Sequence, residues 1–328
     1  MDYTTNARVC RMKLAHGVTM LSTFVLVATQ AAIKRLTPQQ VESLGITLIL
    51  NNAYHLNQRP GTKVLDEVGG AHAFQGWHRN ILTDSGGFQF VSLDKFANMT
   101  EEGALFSCPF TGQPNEENIS TQHSIGAVIV MQLDDVGGSL TVGPRVGEAM
   151  ERQANPFAII QGGLSVISVW MSWLKGDHVA GYAIGGLSGG EEKLSDKLPI
   201  DRPWYSMGVS FAEDLLVCVA LGIDMVCLAD PARRLRKHAK SMDRIDDNCP
   251  CPTCRTGTPR AMLHHMVTIE TAGAHALTQH NLVFQAQVMG GARDAIWCVN
   301  ALRSVGMDLL QGGNVLVIPG RGAKWDVA

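Results

Sequence analysis

Cys249, Cys251 and Cys254 are spaced so that one short loop can present three thiolates together. With one imidazole added, they make a closed tetrahedral Cys3His set, the arrangement that holds structural zinc. On spacing alone His264, His265, His275 and His280 all compete for the fourth place. A histidine on a following helix would fasten that helix to the loop. A metal explains the crowding better than three free surface thiols, because thiols this close repel once ionised.

A second group of residues sits where apolar runs end in glycine or acid. Ile81-Leu82-Thr83 passes into Asp84-Ser85-Gly86-Gly87-Phe88. A strand that ends this way delivers a carboxylate and a backbone able to approach a ligand closely. Asp84 there suits general acid/base work, and Phe88 could stack on a flat ring. Met131 to Asp135 ends in the pair Asp134-Asp135, one of which could accept from a base amide edge. Gln161 follows Ala158-Ile159-Ile160 and offers a donor–acceptor pair. Gly185-Gly186, after Ala183-Ile184, lets backbone groups reach the same ligand. No phosphate loop or dinucleotide fingerprint fits these glycines. One dense basic patch, Arg233, Arg234, Arg236, Lys237, Lys240 and Arg244, suits phosphate contacts.

Positioning such groups requires parallel strands whose ends share one face. Eight short apolar runs recur: Thr23–Ala28, Thr47–Leu50, Asn80–Thr83, Ala127–Leu133, Pro156–Ile160, Gly181–Ile184, Tyr205–Val209 and Met225–Ala229. Helical patterns alternate with them, beginning with Pro38 to Leu44 capped by Thr37, then residues 143–153 and 165–174. That alternation predicts an α/β chain whose strands are covered on both faces. At 328 residues and 45% hydrophobic content, one barrel-sized domain is affordable. The net charge of −3 excludes a global pull toward nucleic acid, so any RNA contact must be local. Eight cysteines in a chain this long fit a reducing compartment better than a disulfide framework. Val18 to Ile33 is the longest apolar stretch, and its threonines and Gln30 mark it as a core strand with its loop, not a membrane segment.

Taken in order, several stretches resemble the queuine/guanine tRNA-ribosyltransferases of the eukaryotic catalytic-subunit type. They are NNAYHLNQRPG, LTDSGGFQFVSL, VMQLDDV, FAIIQGGL, AIGGLSGGE, MGVSFAEDLLVCVALGIDM, the cysteine–histidine set and QHNLVFQAQVM, between Cys10 and Leu310. The resemblance implies a (β/α)8 TIM-type barrel with a small zinc-binding subdomain. Residues 10–240 would form the barrel core, 241–290 the zinc subdomain, and 291–328 a C-terminal remnant ending in a loose tail. The implied reaction replaces guanine by queuine at the tRNA wobble position through a covalent ribosyl-enzyme intermediate, with the target base turned out of its stack. Asp84 matches the proton-transfer aspartate, and Asp84, Ser85, Gly86, Gly87 and Phe88 line the base pocket. Asp134, Gln161 and Gly186 match base-holding residues. Gly208, Val209, Ser210, Phe211, Ala212, Glu213 and Asp214, with Ala232, Arg233, Arg234, Leu235 and Arg236, match tRNA-contacting segments. Cys249, Cys251, Cys254 and His280 match the ligands of a structural Zn2+. Implied partners are tRNA with a GUN-type anticodon, guanine or queuine, and a second subunit in a homodimer or a heterodimer with an accessory chain. The implied location is cytoplasmic, with peripheral association at the mitochondrial outer membrane.

The chain departs from the family at the nucleophile. The family's aspartate opens D-C-V-x-P-T-R, whereas here the text is Cys227-Leu228-Ala229-Asp230-Pro231-Ala232-Arg233. Alignment on Pro231 and Arg233 sets Cys227 in the aspartate's place, and alignment of cysteine on cysteine sets Val226 there. Asp230, three residues on, would face the other side of a strand and is a weak substitute. With Cys227 in the aspartate's place, diminished activity is expected, the alternative being a non-catalytic tRNA-binding or partner subunit. Shortened connections at Gln153–Asn155, Gly190–Pro203 and Lys237–Asn248 predict an incomplete barrel.

Overall fold

The computed structural model describes residues 6–86, 97–99, 104–107, 114–117, 119–131, 156–160, 179–184, 198–208, 212–228, 241–307, 317–319 and 324–326. The chain begins with an antiparallel hairpin, β1 (Cys10–Leu14) and β2 (Gly17–Leu21), followed by β3 (Thr23–Val27), β4 (Leu48–Asn52) and β5 (Asn80–Asp84). Three short strands, β6 (Ala97–Met99), β7 (Ala104–Ser107) and β8 (Pro114–Glu117), pair into a small antiparallel sheet. Then come β9 (Ile129–Met131), β10 (Pro156–Ile160), β11 (Gly181–Ile184), β12 (Trp204–Ser206) and β13 (Met225–Leu228).

Eight strands, β3, β4, β5 and β9 to β13, pair in sequence order into a closed parallel barrel. Each falls on one of the apolar runs seen in the sequence. Val226 pairs with Phe24 and Cys227 with Val25, closing the ring. Along every strand the side chains alternate between two cores. Val25, Leu48, Leu50, Leu82, Ile129, Phe157, Ala183, Tyr205 and Met225 fill the lumen. Phe24, Leu26, Ile49, Ile81, Ala158, Tyr182, Ile184, Trp204 and Val226 face the surrounding helices. Both faces are apolar because both are buried, which is why the runs read as continuous and not alternating.

The incomplete barrel expected from the short crossovers is corrected by this closure. Closure depends on the backbone ladder between neighbouring strands, and trimming the connections does not break it. The end of the short 190–203 connection packs well: Leu198 joins the outer core, and the Trp204 indole donates to the Pro199 carbonyl at 3.0 Å. The helices expected over 143–153 and 165–174, and the connection at Gln153–Asn155, lie outside the described residues. The helix Pro38–Ser43 forms as expected, with Thr37 and Gln40 making a reciprocal capping box.

The hairpin closes the barrel floor, inserting Met12, Leu14 and Leu21 into the luminal core. Asn80, first residue of β5, pins it: its amide donates to the Gly17 carbonyl at 3.1 Å and to Thr19 Oγ1 at 3.0 Å. Within 312–328, expected as a loose tail, β14 (Val317–Pro319) and β15 (Lys324–Asp326) continue the hairpin sheet through β1. The free edge of β1 carries unpaired backbone groups that such strands satisfy. A long helix, Thr271–Met307, lays Leu282 and Met289 on the outer core, and Arg293 donates to the Ser22 carbonyl at 2.7 Å. It runs unbroken through 290–291, where the sequence reading parts the zinc subdomain from the C-terminal remnant.

Asp224, just before β13, is 1% exposed at the floor end. It accepts from Arg8 Nε at 2.9 Å and from the Trp204 backbone N–H at 2.8 Å. The Arg8 guanidinium also donates to the Ile200 and Arg202 carbonyls and lies 5.1 Å from the Trp204 ring centroid. Removing one partner leaves a buried carboxylate uncompensated. Arg8→Ala should therefore cost about 3 kcal/mol of unfolding free energy, read from the urea midpoint at unchanged slope.

Candidate active site at the barrel mouth

Asn52 ends β4, Asp84 ends β5, Tyr205 lies in β12 and Cys227 near the end of β13. All four stand on the strands' carboxyl-terminal side, where barrel enzymes place their chemistry. Asn52 pairs with Asp84 across the ladder, and its Nδ2 donates to Asp84 Oδ2 at 3.1 Å. Its Oδ1 meanwhile accepts from the His55 N–H at 3.2 Å, capping the helix Ala53–Gln58. One side chain thus fixes both a helix start and the carboxylate's orientation. Gly86 N–H approaches Asp84 Oδ1 at 3.4 Å. Burial nonetheless wins, raising the Asp84 pKa above the ordinary carboxyl value against the hydrogen bonds from Gly86, Asn52 and Ser85. A carboxyl held this way can hand a proton to a departing group and recover it.

The register also settles which residue occupies the position opposite. Val226 packs in the helix-facing core, whereas Cys227 packs against the luminal core. Cys227 is therefore the residue presented to the mouth. Burial lifts its thiol to about 11, countered by hydrogen bonds from the Tyr205 hydroxyl and the Gly208 N–H and reinforced by the Asp84 charge. At neutral pH roughly one such thiol in ten thousand is ionised. Asp224 offers no replacement: it belongs to the floor, roughly 10 Å down the strand. Asp230 lies outside the described residues.

Apart from the mouth, Cys249, Cys251, Cys254 and His280 converge in a buried group. His280 Nδ1 stands 3.6, 3.7 and 3.3 Å from the three sulfurs in that order. Pro252 starts a one-turn helix, Pro252–Arg255, capped by the Cys251 sulfur, which turns Cys254 back toward Cys251. Thr253 Oγ1 donates to the Ala276 carbonyl at 2.6 Å, tying this loop to the long helix that carries His280. His275 instead donates to the Arg35 carbonyl, and His264 and His265 are not in the group. Burial and neighbouring sulfurs push the Cys254 thiol up to about 12, while burial lowers the His280 pKa below the ordinary imidazole value. Three thiols and one imidazole, buried together, fit a bound metal cation, which would offset the mutual repulsion of the three thiolates.

The family model described as queuine tRNA-ribosyltransferase matches residues 2–298. The chain belongs to the queuine tRNA-ribosyltransferase family. It is similar to the Schizosaccharomyces pombe queuine tRNA-ribosyltransferase catalytic subunit, 40% identical over 94% of this chain and 96% of that one. The Caenorhabditis elegans catalytic subunit is 36% identical over 88% of this chain and 84% of its own. The queuine tRNA-ribosyltransferase of Ralstonia pickettii is 35% identical over 88% and 91%. The fission-yeast alignment spans 386 positions, more than the whole of this chain, so that relative carries segments missing here.

Of the family positions read from sequence, the structure brings Asp84, Ser85, Gly86 and Cys227 to the mouth and unites Cys249, Cys251, Cys254 and His280. Gly208 follows β12, and Ala212, Glu213 and Asp214 open the helix Ala212–Ala220. Gly87, Phe88, Asp134, Gln161, Gly186, Val209, Ser210, Phe211, Ala232, Arg233, Arg234, Leu235 and Arg236 lie outside the described residues. Sequence reasoning missed Asn52 and Tyr205. Asn52 sits inside the NNAYHL stretch already noted, and its cap position before Ala53 was the available signal.

The folded state holds the Asp84 proton more tightly than the unfolded chain does. The stability that Asp84 contributes is therefore greatest in acid and declines as pH climbs from the ordinary carboxyl range through the folded pKa. Asp84→Asn should remove that decline. Calorimetry should find the variant melting above the parent at about pH 8, with the gap narrowing toward about pH 4.

Proposed function

We propose that this chain is a tRNA base-exchange protein that swaps guanine for queuine at the wobble position, slowed by the thiol at position 227. The observation that carries this reading is the pairing of Asp84 and Cys227 on one luminal mouth in a chain of this family. In the exchange, the Cys227 thiolate attacks ribose C1′, the bond to guanine N9 breaks, and Asp84 gives its proton to the leaving base. The incoming base returns a proton to Asp84 and attacks C1′, and the carbon–sulfur bond breaks. A carboxylate at 227 would be ionised at neutral pH, whereas this thiol is mostly protonated, so the first step is starved of nucleophile.

Ser85, Gly86, Gly87 and Phe88, with Asp134, Gln161 and Gly186, complete the base pocket in this reading. Glu213 and Asp214 bring acceptors to the tRNA, not cations. Phosphate contacts therefore fall to Arg233, Arg234 and Arg236. The metal is zinc: bond lengths of about 2.3 Å to sulfur and 2.0–2.1 Å to nitrogen at tetrahedral angles imply S···N separations near 3.6 Å. The observed 3.3–3.7 Å brackets that value. Zinc here is structural, holding residues 241–290 as a subdomain against the barrel. A second subunit and a cytoplasmic site, with association at the mitochondrial surface, complete the proposal. Among the described residues no helix is long and apolar enough to cross a membrane. A second reading, a non-catalytic tRNA-binding subunit, is favoured specifically by the protonated thiol.

Labelled-guanine incorporation into tRNA tests the main reading. The unaltered chain should exchange slowly, and Cys227→Asp should raise the rate by at least tenfold. Robust exchange by the parent with loss in the Asp variant would overturn the slowed-enzyme reading, and silence of both would favour the binding subunit. Metal analysis of the purified chain should find about one zinc per chain, falling toward zero in Cys251→Ser.

A further inference from the structure

Tyr205 is 1% exposed, so its hydroxyl must find a partner inside the lumen. Its register partner on β13 is Met225, which places Cys227 on the neighbouring diagonal of the same face. There the hydroxyl hydrogen-bonds the Cys227 sulfur. A second donor, the Gly208 N–H, meets the same atom. Gly208 holds a φ of +83°, a backbone state that glycine adopts without strain. Two donors are thus aimed at a neutral thiol, which is a weak acceptor. Donors so arranged match an anion far better, since hydrogen bonds to charged acceptors are about twice as strong.

We propose that Tyr205 is a positioning residue for the nucleophile: its hydroxyl and the Gly208 N–H form a two-donor seat that orients and stabilises negative charge at position 227. The seat serves the ribose-attacking group of the base-exchange reading and rests on it for that role. It is built from β12 and the turn after it, so it persists whichever side chain β13 presents. In this chain it partly offsets the charge of Asp84 and the burial that oppose thiolate formation.

The pH profile of Cys227 alkylation by iodoacetamide, followed by peptide mass spectrometry on the full chain, tests the seat directly. Tyr205→Phe should move the apparent thiol pKa up by about one unit, slowing alkylation roughly tenfold at a fixed pH below it. Replacing the tyrosines by 3-fluorotyrosine strengthens the donor and should move the profile down, which keeps the test alive if the Phe variant does not fold. In a Cys227→Asp background, Tyr205→Phe should lower kcat for guanine exchange about tenfold and leave KM for the base unchanged. Alkylation profiles indifferent to both replacements would overturn the seat, whatever the exchange assay reads. Shifted profiles with no exchange from Cys227→Asp would uphold the seat and remove the base-exchange reading instead.

Discussion

Everything in this molecule depends on the closing ladder between β13 and β3. Once Cys227 is opposite Val25, the alternation of side chains is fixed around the ring, and each strand end has a determined inside and outside. A slip of one residue would turn Val226 to the mouth and Cys227 to the helices, exchanging a chemical group for an inert one. The luminal core of Leu48, Leu50, Leu82, Met225 and Phe157 resists that slip, because it would drive the whole row into the wrong layer.

Two devices hold the ring from outside. At the floor, Asn80 and the Arg8–Asp224 pair fasten the hairpin and the start of β13, with Asn80 and Asp224 buried and Arg8 partly exposed. At the flank, the Cys3His group joins a one-turn helix to the long helix that also packs on the barrel through Leu282 and Met289. Leu44, at the end of the first barrel helix, packs against both the outer core and the cysteine group. Order at the metal site is in this way mechanically continuous with order in the barrel. At the mouth, the hydrogen bonds of Asn52, Tyr205 and Gly208 orient Asp84 and Cys227.

Much of this was legible in the sequence. Eight apolar runs were recognisable because strands buried on both faces cannot tolerate polar alternation, and the cysteine spacing declared itself because few folds crowd thiols without a metal. The fourth ligand was not fixed by spacing, since His264, His265 and His275 lie on the same stretch. Only the helix geometry turns His280 to the sulfurs and sends His275 to Arg35. Tyr205 escaped notice because Trp204-Tyr205-Ser206 reads as ordinary core, and its role comes from a neighbour on another strand. The completeness of the barrel escaped for a related reason: short crossovers are visible in sequence, but the strand ladder that survives them is not.

Asp84 and Cys227, 143 positions apart in the chain, face one another in a single mouth. Their electrostatic coupling tests this most directly. Titrating the Cys227 thiol in the parent and in Asp84→Asn should show a lower apparent pKa in the variant, because a neighbouring negative charge has gone. An identical titration in the two proteins would place the residues apart and contradict the shared mouth.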